Sequence, residues 1–302
     1  MELEWPLILF TFFVCLASGI LLGQGLMTVL GKGKKMQLVS LVSSLVALAV
    51  GGVAVFLHLQ HWERIFNGFG HITSGITLEF IGCVVFFVVL VVYFLMMRRA
   101  EDGMAPKWCG VLAIIMGVAM PAITGDSYLM EALPSWNTPL LPVYYVVNAV
   151  FFGMLAIMII GAVTKTDDVI ETSGLIGAVA GVVSLVVIIA YAAYISAQGA
   201  QYSDITYYFD PTLPDSHMVD IEGDFIGTVF AGANAPLFWI GAVIVGVVIP
   251  AVLAFLAKQA AANGKTQQVL PMAVAGLVCA LAGGICWRMI LYMVSVHVFA
   301  LY

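Results

Sequence analysis

Apolar residues in this chain come in long unbroken blocks separated by short polar connections, with no alternation that would suggest strands. A helix needs roughly 20 predominantly apolar residues to cross a bilayer. Eight blocks approach or exceed that length, at about Trp5–Leu30, Gln37–Leu57, Ile76–Met97, Trp108–Thr124, Leu140–Val163, Ser173–Ala197, Asn234–Ala257 and Val269–Phe299. They predict an all-α membrane protein, one bundle of eight transmembrane helices filling residues 1–302 as a single integral-membrane domain. The fourth block is the shortest, and the eighth is long enough to tilt. One connection is longer than the rest, from Gln198 to Ala233, and carries Asp204, Asp210, Pro211, Pro214, Asp215, Asp220, Glu222 and Asp224. Prolines oppose a regular helix there. Backbone groups left unpaired in lipid are costly, so this segment is expected to lie in water.

Composition agrees with the pattern. Hydrophobic residues make up 63% of the 302 positions and charged residues 9%, with a mean hydropathy of +1.09. Soluble domains carry about 25% charged residues, so this chain has too little charge to clothe a water-facing surface. A net charge of -6 argues against nucleic-acid binding, which calls for a basic patch. The start, Met1-Glu2-Leu3-Glu4-Trp5-Pro6, lacks the basic region of a cleaved signal peptide, so the first block is expected to be retained as a span.

Charge placement predicts the orientation. Nine of the eleven basic residues, Lys32, Lys34, Lys35, Arg98, Arg99, Lys107, Lys165, Lys258 and Lys265, fall in connections after spans one, three, five and seven. Basic loops face the cytoplasm. Both termini, the loop between spans two and three, and the long acidic segment are therefore expected outside. This is the arrangement of a multi-pass protein of the inner (cytoplasmic) membrane.

Ionisable groups within spans are costly and mark functional sites or structural pairs. Four polar positions qualify. His58 ends the second span, Glu79 sits one turn into the third, and Arg288 and Tyr292 lie four residues apart on one face of the eighth. The predicted topology brings all four to the outer half of the membrane, where one polar cluster would hold them. Competing readings are an interfacial histidine, a structural Glu79–Arg288 ion pair, and solvated loop charges at Glu63 and Arg64. The loop histidines His61, His71 and His217, and His297 at the end of the last span, read as non-functional. Cys15, Cys83, Cys109, Cys279 and Cys286 lie in or beside apolar blocks without CxxC spacing. They read as packing residues rather than iron–sulfur or zinc ligands, and no metal site is expected. A b-type haem needs histidines from facing helices at matched depth; none lies mid-span, so no haem is expected.

On these residues the chain resembles the membrane-anchor subunit of the dimethyl sulfoxide reductase family (DmsC-like). The resemblance rests on Glu4-Trp5-Pro6-Leu7-Ile8-Leu9-Phe10-Thr11, on Leu57-His58-Leu59 through Arg64-Ile65-Phe66-Asn67 to Glu79, on Pro134-Ser135-Trp136-Asn137-Thr138-Pro139, and on Arg288 with Tyr292. Gly284, one turn before Arg288, departs from the acidic residue common there. The resemblance implies oxidation of a membrane quinol, menaquinol, as an exchangeable substrate. It implies electron transfer to a ferredoxin-like, four-cluster iron–sulfur subunit and onward to a molybdopterin catalytic subunit. It carries His58 and Glu79 over as quinol-site residues. A histidine suits proton exchange near neutral pH, with Glu79 relaying the proton or holding the imidazole tautomer. Arg64 and Asn67 are candidates at the mouth of the site, and Arg288 and Tyr292 for holding a quinol oxygen or orienting Glu79. The acidic segment and the Trp136 loop are expected to dock the iron–sulfur subunit. The runner-up is the related polysulfide and nitrite reductase (NrfD-like) anchor family. Other readings are a secondary transporter with a buried Glu79–Arg288 gate, although the glycine pairs Gly51-Gly52 and Gly283-Gly284 do not fall at corresponding places in the two halves, and a structural tether whose partner builds the quinol site.

Overall fold

The computed structural model describes residues 3–58, 70–199 and 229–295. Among them are eight helices long and apolar enough to cross a membrane. The helices are α1 (Trp5–Val29), α2 (Gln37–His58), α3 (Gly75–Arg99), α4 (Lys107–Ser127), α5 (Leu140–Val163), α6 (Asp167–Gly199), α7 (Ile249–Ala262) and α8 (Thr266–Met293). A π-helical stretch, Leu237–Val248, runs directly into α7 and completes the seventh span. The eight-helix expectation holds.

Two boundaries differ by six residues: α8 ends at Met293 rather than Phe299, and α6 begins at Asp167 rather than Ser173. Asp167 and Asp168 occupy its first turn, where the positive end of the helix dipole favours carboxylates. Asp168 also accepts a hydrogen bond from the Gly33 amide at 3.1 Å, and Lys32 donates to Thr172 Oγ1 at 2.7 Å. Hydropathy excluded these charges from a span, yet they continue the same helix beyond the apolar stretch.

The bundle is built around α1 and α5. α1 packs on α2, α4 and α5, while α6, α7 and α8 gather on the far side of α5. The α1–α5 crossing is a backbone contact: a Cβ on Gly19 would lie 1.8 Å from the Ala149 carbonyl oxygen, and one on Gly153 2.1 Å from the Gly19 carbonyl carbon. Lipid gives helices no hydrophobic drive to associate, so such small-residue contacts supply much of the adhesion. Gly153→Leu is therefore expected to drive α1 and α5 apart and abolish accumulation of detergent-extractable, monodisperse protein, whereas Gly31→Ala, at a turn glycine with open space around it, leaves the yield within about twofold despite its positive φ.

A knot of side-chain hydrogen bonds ties α1, α2 and α3 together at one end. At the ends of α1 and α3 and the start of α2, Gln24 Nε2 donates to the Gln37 carbonyl at 2.9 Å and Tyr93 OH donates to Gln37 Oε1 at 2.7 Å. Thr28 joins the same knot through Gln24 and Tyr93. Buried and hydrogen-bonded to one another, these groups hold the three helices together. α2 and α3 touch only sparsely, and a cavity lies between them, α1 and the end of α4.

Candidate functional site

The cavity has a volume of about 290 Å³ and is walled by Leu7 and Phe10 of α1, Gly52, Val55 and Phe56 of α2, Ile76, Glu79, Phe80 and Cys83 of α3, and Ser127, Tyr128 and Met130 at the end of α4. This is close to the lower end of the roughly 300–1,000 Å³ of small-molecule pockets. Its polar side chains, Glu79, Ser127 and Tyr128, contrast with an otherwise apolar lining. That suits an amphipathic guest: an aromatic head with hydrogen-bonding oxygens and an apolar remainder.

Glu79 is buried, 9% exposed, because of how α3 begins. Gly75 sits directly against Ser127, and a Cβ there would lie 2.9 Å from the Ser127 Cβ and carbonyl oxygen. Four residues on, one helical turn further along the same face, Glu79 Oε1 meets Ser127 Oγ at 2.8 Å. The same hydroxyl lies 2.8 Å from the Thr124 carbonyl oxygen. A serine hydroxyl has one proton, so it donates to only one of these acceptors at a time. An ionised Glu79 takes that proton's hydrogen bond. A protonated Glu79 instead donates to Ser127 Oγ, whose own proton turns to Thr124. Either charge state of the carboxyl is thus satisfied without moving a heavy atom.

Tyr128 forms the wall between this cavity and the bundle core, since it also lines a second, much smaller cavity with Arg288 and Tyr292. Burial pushes the Tyr128 phenol well above its ordinary value; nearby Glu79, Tyr292 and Tyr145 add to this and Arg288 opposes it. The phenol therefore remains a protonated donor across the physiological range. Its ring packs edge-on against Trp136 at 5.6 Å.

Arg288 is 1% exposed and has an environment of its own. Nε donates to Thr11 Oγ1 at 3.1 Å, Nη1 to Tyr144 OH and the Gly284 carbonyl at 3.1 Å each, and Nη2 to Asn148 Oδ1 at 3.2 Å, with the Thr11 carbonyl and Cys15 Sγ both at 3.4 Å. The guanidinium carbon stands 5.7, 5.5 and 5.3 Å from the ring centres of Phe12, Tyr144 and Tyr145. Every one of these partners is formally neutral. The structural Glu79–Arg288 ion pair considered from the sequence is replaced by this neutral cage, because Arg288 points into the α1–α5–α8 contact while Glu79 faces the gap between α2 and α3. Gly284 is part of the reason: a Cβ there would press on the Phe152 ring at 2.6 Å, and its carbonyl is one of the arginine's acceptors.

Tyr292 is buried beside Trp136, ring centres 5.0 Å apart, while Trp136 Nε1 donates to the Leu291 carbonyl at 3.1 Å. Ser135 bonds Ser295, and Tyr191 donates to the Ser135 carbonyl. The Trp136 loop thus folds onto the bundle; its exposed positions are Met130, Glu131, Ala132, Asn137 and Pro139. His58 is the last residue of α2, and its side chain lies outside the described residues. So do Arg64, Asn67, His61, His217, His297 and most of the acidic segment between α6 and the π-helical stretch. His71 is exposed.

The single polar cluster expected from the sequence is thus divided by Tyr128 into a cavity with Glu79 and a core site with Arg288 and Tyr292. Sequence reading passed over Ser127, Tyr128, Thr11, Tyr144 and Asn148, and took Cys15 and Cys83 only as packing. Asn148 offered a signal, as an amide in the middle of an otherwise apolar block. Among the described residues, no group of three or more His, Cys, Asp or Glu side chains is placed to hold a metal ion.

A family model described as "Polysulphide reductase, NrfD" matches residues 2–300, nearly the whole chain. No curated protein matches. Of the two anchor families the sequence resembles, the match falls on the one ranked second; the narrower dimethyl sulfoxide reductase reading goes beyond it.

Proposed function

Because the chain belongs to the NrfD polysulphide reductase family, whose members are quinone-interacting membrane subunits of molybdopterin oxidoreductase complexes, we propose that it oxidises a membrane quinol, menaquinol in particular, in the cavity at Glu79. The observation that carries this reading is the cavity itself. Its carboxyl, hydroxyl and phenol lie together at the junction of α3 and α4, and its apolar walls belong to helices that face lipid. Exposed Val53, Leu57, Ile76 and Phe87 continue the apolar surface beside it, the route by which a prenyl tail would run out between α2 and α3.

A quinol becomes a quinone by losing two electrons and two protons. An acceptor within hydrogen-bond reach makes the loss feasible. Glu79 takes one proton from a quinol hydroxyl, and the Ser127 proton turns from Glu79 to Thr124 as it arrives. Tyr128, held protonated, donates a hydrogen bond to a quinol oxygen and positions the ring. His58, at the end of α2, takes the second proton, with Arg64 and Asn67 at the mouth. The two electrons leave for the iron–sulfur subunit and reach the molybdopterin subunit. With the basic loops in the cytoplasm, the cavity lies near the outer face of the inner membrane, and the electron-accepting partner docks on that side. A dimethyl sulfoxide reductase-type complex is the narrower form of this proposal, supported by the resemblance around Leu57–Asn67 and Pro134–Pro139.

Binding of a fluorescent menaquinol analogue to the isolated chain in lipid nanodiscs tests the reading. Saturable quenching competed by menaquinol is expected. Absence of binding to the lone chain, together with binding to the assembled complex, would support the tether reading instead.

A further inference from the structure

Seven buried side-chain atoms among the described residues have no hydrogen-bond partner: Ser18 Oγ, Gln24 Oε1, Ser40 Oγ, Thr124 Oγ1, Ser184 Oγ, Trp287 Nε1 and Tyr292 OH. Three of them belong to residues lining two small cavities that flank Arg288. Tyr292 lines the one toward Tyr128, and Ser184 and Trp287 line the one on the opposite side, behind Tyr144 and Asn148. Each cavity has a volume of about 10 Å³. That is the size of one water molecule, and a water site also needs polar partners around it.

We propose that both cavities are water sites, and that Arg288 is held in the bundle as a hydrated cation. Three independent features meet here. First, the arginine has neutral partners on every side, and a buried charge without a counter-ion is costly unless its surroundings are polar. Second, the unpartnered atoms have matching chemistry. Trp287 Nε1 donates only, whereas Ser184 and Tyr292 hydroxyls both donate and accept, so a water accepts from the indole while donating to the serine. Tyr144, whose oxygen is taken by Arg288, still has a phenolic proton to give to the same water. Third, the cavity at Ser184 and Trp287 is lined largely by small residues. Ala242 and Gly246 of the π-helical stretch and Ala280, Gly283 and Gly284 of α8 form its wall. π-helical turns inside longer helices are rare and concentrate at functional sites. Here the stretch lends Ala242, Gly246 and Val247 to the lining of the cavity that Trp287 also lines. On the other side, the water beside Tyr292 stands between Arg288 and Tyr128, so hydrogen bonds run from the wall of the large cavity to the cation.

X-ray hydroxyl-radical footprinting of the full chain in nanodiscs tests this, because radiolysis of an ordered water oxidises the side chains touching it. Trp287 and Tyr292 are expected to be oxidised several-fold faster than Tyr93, which is equally enclosed but fully hydrogen-bonded. After brief mixing with ¹⁸O-water, their products carry less ¹⁸O than those of exposed Trp108, because enclosed waters exchange slowly. Ser184→Val, which fills the cavity beside Trp287, lowers oxidation of Trp287 several-fold and leaves Tyr292 unchanged. If Trp287 and Tyr292 react no faster than Tyr93, or take up bulk isotope as quickly as Trp108, the proposal is overturned; that comparison needs only the unmodified chain. Unchanged Trp287 oxidation in a folded Ser184→Val variant overturns it equally. None of these readouts depends on what occupies the large cavity.

Discussion

Replacing Glu79 by glutamine in the intact complex lowers the rate of menaquinol-analogue oxidation by about 10²- to 10⁴-fold, the range associated with loss of a positioned general base. The amide keeps the size of the carboxyl and can still bond Ser127 at 2.8 Å. Binding of the analogue therefore changes little while turnover collapses. That division separates a proton-accepting role from a structural one, which would lower binding and assembly together. Ser127→Ala makes the comparison sharper. It removes the hydroxyl whose proton follows the charge of Glu79 but leaves the carboxyl in place, and a hydrogen bond of that kind contributes about 1 kcal/mol, or roughly fivefold in rate. An unchanged rate in Glu79→Gln would remove the carboxyl from the chemistry.

The second large effect is steric. A Cβ added at Gly52 meets nothing within 4 Å, although Gly52 lines the large cavity. Gly52→Leu is thus accommodated by α2 without a clash, and its side chain extends into the space assigned to the quinol ring. Assembly and thermal stability of the complex are expected to be unchanged, since leucine is a better helix former than glycine by under about 1 kcal/mol. The KM for the quinol analogue should rise at least about tenfold, because a filled pocket cannot recover the contacts that offset the cost of ordering the ligand. Gly51→Ala on the same helix is the control. A Cβ there lies 3.1 Å from the Phe13 Cβ, on the α1 side and away from the cavity, so it tests packing without occlusion. Normal kinetics in Gly52→Leu would place the quinol elsewhere.

Both effects rest on a cavity that holds Glu79 apart from Arg288, and hydropathy carries no view of that separation. Depth in the membrane was readable: the position of a residue within its apolar block says how far it lies from the end of a helix. On that basis Glu79, Arg288 and Tyr292 all fall in the outer half of the membrane. Which way each side chain points around its helix was not readable. In a soluble protein, a polar outer face reveals the inner one. Here the outer face is as apolar as the inner, with Val84, Val85, Phe87 and Val88 of α3 all exposed beside buried Phe86, Val89 and Leu90.

The chain's hydropathy by itself determined the eight membrane-crossing helices and most of their limits. Covering backbone hydrogen bonds in lipid is a local requirement that each segment meets alone. Its short motifs also pointed to the right broad class of redox anchor and to Glu79 and Arg288 as residues in need of explanation. The tertiary structure alone decided their company. Gly75 against Ser127 turned Glu79 toward the gap between α2 and α3, and the Gly19–Gly153 crossing brought Thr11, Tyr144 and Asn148 around Arg288. Such encounters depend on helix rotation and close approach between distant segments, and lipid, unlike water, leaves little trace of either in the pattern of side chains.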